Sequence, residues 1–154
     1  MFKVIESSLQ TAKEKLRRGG GTMVLQESGE MYLETIYVLL QKKDYVRAID
    51  VGEELNFSRP SVSRAIHILE EGGFLTIGRD GALRLTDTGR EYAEKIYERH
   101  TILTECFVAL GVDRDVAVND ACRIEHIISD ECFAALKRHF AEMGGKAASS
   151  VMAG

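Results

Sequence analysis

Ala48-Ile49-Asp50-Val51-Gly52-Glu53-Glu54-Leu55-Asn56-Phe57-Ser58-Arg59-Pro60-Ser61-Val62-Ser63-Arg64-Ala65-Ile66-His67-Ile68-Leu69 reads as two short helices joined by a tight turn. The first fits Ala48 to Leu55 and Asn56-Phe57-Ser58 makes the turn. Ser58 is placed to cap the second, and Pro60 falls in its first turn, where a missing N–H costs nothing. Val62, Ala65, Ile66 and Leu69 form its inward face, and Gly72-Gly73 ends it. Upstream, Leu33, Ile36, Tyr37 and Leu40 recur at i, i+3, i+4 and i+7, predicting an amphipathic helix from Glu30 to about Lys43. Downstream, Phe74-Leu75-Thr76-Ile77 and Ala82-Leu83-Arg84-Leu85 flank Gly78-Arg79-Asp80-Gly81, a hairpin signal. Helix, helix, turn, helix and hairpin in that order make a winged helix-turn-helix, a DNA-binding arrangement. Three helices and a hairpin also occur in proteins that do not bind DNA.

Two longer helical patterns follow, Thr88 to Leu110 closed by Gly111, and about Asp115 to Phe140. Their apolar positions are Ile96, Tyr97, Ile102, Leu103, Phe107, Ile124, Ile127, Ile128, Phe133 and Leu136, too many for one solvated helix pair. A symmetric homodimer interface would bury the surplus, and an ordinary intrachain core is the alternative. The expected fold is mostly α with a small β-hairpin: an N-terminal winged helix-turn-helix, then a helical dimerisation domain. The boundaries expected are an arm at 1–29, the DNA-binding domain at 30–87, the metal-binding and dimerisation domain at 88–143 and a disordered tail at 144–154. Within the arm, residues 1–18 read as an amphipathic helix broken by Gly19-Gly20-Gly21, and Met23 reads as an alternative natural start.

Composition narrows the class. Of 154 residues, no apolar run approaches the ~18–20 needed to cross a bilayer, and the N-terminus has no signal-peptide pattern. Three cysteines, Cys106, Cys122 and Cys132, are an odd number without a secretion signal, so a reducing cytoplasm is expected. Cys106 and Cys132 read as buried small hydrophobes. With a net charge of −4, any DNA-binding face must be a local concentration of Lys and Arg.

The run Cys122-Arg123-Ile124-Glu125-His126 places a thiol, a carboxylate and an imidazole at i, i+3 and i+4, on one face of one helical turn. Three ligand types so close suit a divalent transition metal. The plain alternative is a surface turn with Glu125 and His126 facing water.

Five stretches taken together resemble the diphtheria-toxin-repressor family of metal-dependent transcriptional repressors, including its manganese-responsive branch. They are Glu30-Met31-Tyr32-Leu33-Glu34-Thr35-Ile36-Tyr37, Ser58-Arg59-Pro60-Ser61-Val62-Ser63-Arg64, Leu85-Thr86-Asp87-Thr88-Gly89, Arg99-His100, and Asp120 through Glu131. The resemblance covers about residues 30–140. It implies a primary metal site of Met31, Cys122, Glu125 and His126. Met with Cys is similar to the iron branch, whereas the manganese branch has Asp and Glu there. Glu34 matches the manganese pattern, and His100 matches a histidine used in the second site of both branches. The iron branch's other second-site ligands fall on Thr104 and Val118, which cannot replace them. A second ion on Glu34, His100 and Glu125 would resemble the manganese arrangement. The iron branch also has a C-terminal SH3-like domain, and this sequence stops before it.

A thioether, thiolate, imidazole and carboxylate set is soft, which disfavours Mn2+ relative to Fe2+, Co2+, Ni2+ and Zn2+. With availability setting selectivity, Fe2+ is expected as the physiological ion and Mn2+ second, with Co2+, Ni2+ or Zn2+ able to substitute in vitro. On the third helix, Ser58, Pro60 and Arg64 are candidates for base contacts, and Arg47, Arg59, Ser61 and Ser63 for phosphates. Arg79 and Arg84 on the hairpin could reach a neighbouring backbone. The expected function is a metal-activated repressor that binds palindromic operator DNA as a homodimer, with no enzymatic role. Two alternatives stand beside it. One is a winged-helix regulator sensing an organic ligand or oxidant through Cys122, the other a metalloenzyme activating water.

Overall fold

The computed structural model describes residues 27–143, so the expected arm helix, the start at Met23 and the tail lie outside the described residues. The described residues form six helices and one hairpin: α1 (Glu27–Lys42), α2 (Ala48–Leu55), α3 (Arg59–Glu71), β1 (Leu75–Ile77), β2 (Leu83–Leu85), α4 (Asp87–Ala109), α5 (Arg114–Ile124) and α6 (Asp130–Glu142). The chain divides into two compact units after Glu94, inside α4. No helix among the described residues is long and apolar enough to cross a membrane.

The first unit is the winged helix-turn-helix. α1 begins three residues before the expected Glu30, with Glu27 and Glu30 in its first turn, where acidic side chains suit the positive end of the helix. Its face of Tyr32, Leu33 and Ile36 joins Val51, Val62, Ala65, Ile66 and Leu69 in one buried core. α2 ends on Asn56, held at φ 54°, a left-handed conformation that asparagine tolerates better than most residues. Phe57 then returns an N–H to the Gly52 carbonyl at 3.0 Å, which tightens the turn. Ser58 is the N-cap of α3 by backbone conformation, but its hydroxyl bonds Ser61 Oγ at 2.9 Å rather than a helix amide.

The wing pairs antiparallel with Leu75 opposite Leu85, Thr76 opposite Arg84 and Ile77 opposite Leu83. Period-two alternation sends Leu75 and Leu83 into the core and leaves Thr76 and Arg84 in solvent. Two contacts from the segment before α2 steady it. Leu83 donates its N–H to the Val46 carbonyl at 2.8 Å, and the Tyr45 hydroxyl donates to the Asp80 carbonyl at 2.6 Å in the wing turn.

The second unit comprises α4 from Lys95 onward, α5 and α6, around Ile96, Leu103, Ala117, Ala121 and Phe133. Here the structure corrects the sequence reading. The single helix expected from Asp115 to Phe140 is two helices, separated by a turn at residues 125–128. The break has a local cause: Ser129 adopts extended backbone and its hydroxyl accepts from the Cys132 N–H, starting a new helix. Cys132 therefore lies exposed in the first turn of α6 and Cys106 is only half-buried, against the expectation that both are buried. Of the apolar surplus, Ile96, Leu103 and Phe133 are absorbed by this core, while Ile127 and Leu136 remain exposed.

Gly89, in the first turn of α4, is where backbone passes closest to backbone. A Cβ there would stand 1.8 Å from the Phe74 carbonyl oxygen. Gly89→Ala should lower unfolding stability by about 3 kcal/mol, the upper end for overpacking, because neither backbone segment can yield cheaply. The check is the denaturant midpoint, and a change below about 0.5 kcal/mol, the size of a neutral surface substitution, would show that the contact relaxes.

Candidate metal centre and nucleic-acid interface

The residues with metal-binding chemistry in the second unit converge on Glu125. Its side chain is 1 % exposed. Oε2 lies 2.7 Å from His100 Nδ1, and Oε1 lies 3.2 Å from His126 Nε2. His100 Nδ1 is also 3.6 Å from Cys122 Sγ. Donor atoms of His100, Cys122 and Glu125 all lie within 4.8 Å of one another. Cys122 comes from the last turn of α5, whereas Glu125 and His126 occupy the turn after it. Glu125 nevertheless keeps helical backbone as the C-cap, its N–H on the Ala121 carbonyl at 2.9 Å, so of the three only His126 lies beyond the helical turn that their spacing suggested. The plain alternative of Glu125 and His126 facing water is also excluded, since both side chains are buried. Thiol, carboxylate and imidazole donors this close fit a divalent transition metal.

Hydrogen bonding sets the protonation of His100. The sulfur of Cys122 and then the carboxylate of Glu125 hold the His100 imidazolium, raising its pKa from 6.5 to about 10 against the opposing effect of burial. Thr104, one turn beyond His100, is buried with no hydrogen-bond partner for its hydroxyl among the described residues, and Val118 is half-buried and apolar. Met31 and Glu34 belong to the first unit, one turn apart on α1. Met31 is half-buried against that unit's core, and its carbonyl accepts from the Thr35 hydroxyl at 2.8 Å.

On α3, Val62, Ala65, Ile66 and Leu69 turn inward, leaving Arg59, Pro60, Ser63 and Arg64 exposed and Ser61 half-buried. His67 extends this exposed stripe by another turn, which its i+4 spacing from Ser63 could have revealed. Arg47 precedes α2, its backbone N–H donating to Asp50 Oδ2 at 2.8 Å and its guanidinium 5.6 Å above the Tyr45 ring. Asp50 is also paired with Lys43 at 3.0 Å, so part of the nearby acidity is neutralised. Tyr45, which ties the wing turn to the segment before α2, was missed because its partner is 35 residues away.

Residues 24–83 match the N-terminal DNA-binding domain of iron-dependent repressors, and residues 86–143 match their metal-binding and dimerisation domain. The HTH-type transcriptional regulator MntR of Lysinibacillus sphaericus is 32% identical over 102 residues, 66% of this chain and 73% of that protein. The chain belongs to the iron-dependent repressor family. The diphtheria toxin repressor of Corynebacterium diphtheriae is 32% identical over 108 residues, covering 70% of this chain but 48% of that protein. The chain thus spans about half the length of that relative. A manganese-dependent transcriptional repressor solved in complex with manganese superposes with a TM-score of 0.67 and 30% identity, over 75% of this chain and 52% of that one. The resemblance drawn from the five sequence stretches is therefore confirmed at the level of family.

The raised pKa of His100 makes a signed prediction for chelator-treated protein. The imidazolium's contribution to stability should be full below pH 6.5 and disappear as pH rises through about 10. NMR titration of the His100 ring checks this directly. Loss of its proton near 6.5 would mean that Cys122 and Glu125 do not hold it.

Proposed function

We propose that this chain is a metal-activated transcriptional repressor that binds palindromic operator DNA as a homodimer in the cytoplasm. The observation that carries the reading is the buried Glu125 carboxylate between His100 and His126, beside Cys122, in a chain whose other unit is a winged helix-turn-helix. Exposed Ile127 and Leu136, with Leu110 and Val116, supply apolar surface for a two-fold partner.

By the family resemblance, Met31 and Glu34 complete the ligand set. A bound divalent ion supplies a centre of positive charge that thiolate, carboxylate, imidazole and thioether donors can share. The donor set is softer than one of carboxylates alone, which favours Fe2+, Co2+, Ni2+ and Zn2+ over Mn2+. Availability rather than affinity then places Fe2+ first as the physiological ion and Mn2+ second. Ligands drawn from the DNA-binding unit and from the dimerisation unit give such a protein two states that differ in how its two reading heads are held, the requirement for allosteric control. The role is regulatory rather than catalytic. Exposed Cys122 beside His100 favours an oxidant-sensing regulator as the second reading. A response to peroxide in chelator-treated protein would select it.

For the first reading, the test is operator binding by anaerobic protein, using a duplex selected from random sequence. Fe2+ should tighten binding by about 5–150-fold over chelator-treated protein, the usual range of allosteric coupling. Equal affinity in both conditions would sink it.

The reading head makes its own prediction. Arg64→Ala should cost about 1–3 kcal/mol and relax preference at one position per half-site, as expected for an arginine on a guanine edge. Arg47→Ala should weaken binding evenly on specific and scrambled duplexes and flatten the salt dependence, as expected for a phosphate contact. If Arg64→Ala instead weakens both duplexes equally, α3 meets the backbone there and not a base.

A further inference from the structure

A helix that stops leaves its last carbonyls without partners, and buried ones must find donors elsewhere. α5 stops at Ile124 with the candidate ligands Cys122, Glu125 and His126 clustered at its end. The turn that follows α5 has carbonyls of its own to satisfy, and their donor comes from α4. Arg99 is 7% exposed, and its Nη1 donates to the carbonyls of both Glu125 and Ile128 at 3.1 Å. Its Nη2 donates to the Asp130 carboxylate at the start of α6, which also takes Lys95 Nζ at 3.0 Å. The guanidinium carbon lies 5.5 Å from the centre of the Phe133 ring. The next residue along α4, His100, meets the Glu125 carboxylate at 2.7 Å. Consecutive residues of one helix thus grip Glu125 at both ends, Arg99 by its backbone and His100 by its side chain.

We propose that Arg99 is a positioning residue for the metal centre, clamping the turn at residues 125–128 so that Cys122, Glu125 and His126 are presented in one arrangement. The proposal rests on the metal-binding reading above. A guanidinium is suited to the task because its rigid fork reaches two carbonyls with one nitrogen and a carboxylate with the other. A lysine ammonium is a single point and cannot span all three. The positive charge also sits at the carbonyl end of α5, where the helix dipole favours it.

The test is Co2+ binding by the full chain under anaerobic conditions, read by the visible ligand-field bands and the thiolate-to-cobalt charge-transfer band from Cys122. Arg99→Lys and Arg99→Met should weaken Co2+ binding by about 10–100-fold, the usual effect of removing a group that orients a metal ligand, and should shift the bands. In chelator-treated Arg99→Lys, the amides of Ile127 and Ile128, which bond the Ile124 carbonyl at 3.0 and 2.9 Å, should exchange faster. A merely structural ion pair would lower the melting temperature while the folded variant kept wild-type Co2+ affinity and spectrum, and that result overturns the proposal. Should the Arg99 variants fail to fold, Asp130→Asn removes one anchor from an exposed position and should produce a smaller loss in the same direction. Unchanged binding in that folded variant overturns the proposal equally. A wild-type chain without any thiolate-to-cobalt band would overturn the metal reading itself, and this inference with it. A wild-type band with unaltered variants overturns only the role of Arg99.

Discussion

A carboxylate removed from water must be matched by positive charge and hydrogen-bond donors, and at Glu125 this requirement organises the second unit. An ionised group left buried after loss of its partner costs about 3–5 kcal/mol, a large share of a domain's stability. The carboxylate oxygens of Glu125 meet His100 on one side and His126 on the other, and the Glu125 carbonyl takes Arg99. The break between α5 and α6 follows from the same place. Two short helices with a turn between them can turn Glu125 and His126 inward together, while Arg99 and Ser129 satisfy the backbone groups that the break releases.

The first unit solves a different problem, that of presenting a polar helix face from an acidic protein. α3 buries Val62, Ala65, Ile66 and Leu69 against α1 and α2, which leaves Arg59, Ser63 and Arg64 outward with no competing requirement from the core. The wing is only three residues per strand, too short to hold itself. It borrows the Val46 carbonyl and the Tyr45 hydroxyl from the segment preceding α2. Gly89 then lets α4 leave the wing in contact with the Phe74 backbone.

Much of this was readable from residue order. The bounds of α2 and α3 coincide with the reading from Asn56, Ser58, Pro60 and the paired glycines, because caps and turn residues act locally. The hairpin was equally plain from two alternating segments around Gly78 and Gly81. The long helix after Gly111 was misread because its apolar positions keep helical spacing across the turn, and only the cap at Ser129 marks the break. The convergence of His100 on Glu125 and Cys122 came from family resemblance, since no periodicity connects residues on different helices. Arg99 stood in the sequence only within the Arg99-His100 stretch of the family resemblance, and its role was not legible there: its partners are backbone carbonyls 26 and 29 residues away, which carry no side-chain pattern.

If metal and operator act on one equilibrium, linkage is reciprocal: DNA must change metal affinity by the same factor as metal changes DNA affinity. The decisive measurement is an anaerobic Fe2+ titration of the chain with and without a saturating operator duplex, compared with operator affinity at saturating and zero Fe2+. The two ratios should agree, with operator tightening Fe2+ binding by about 5–150-fold. Fe2+ affinity unmoved by the operator would mean that metal and DNA bind independently, and that the cluster around Glu125 does not control the reading head.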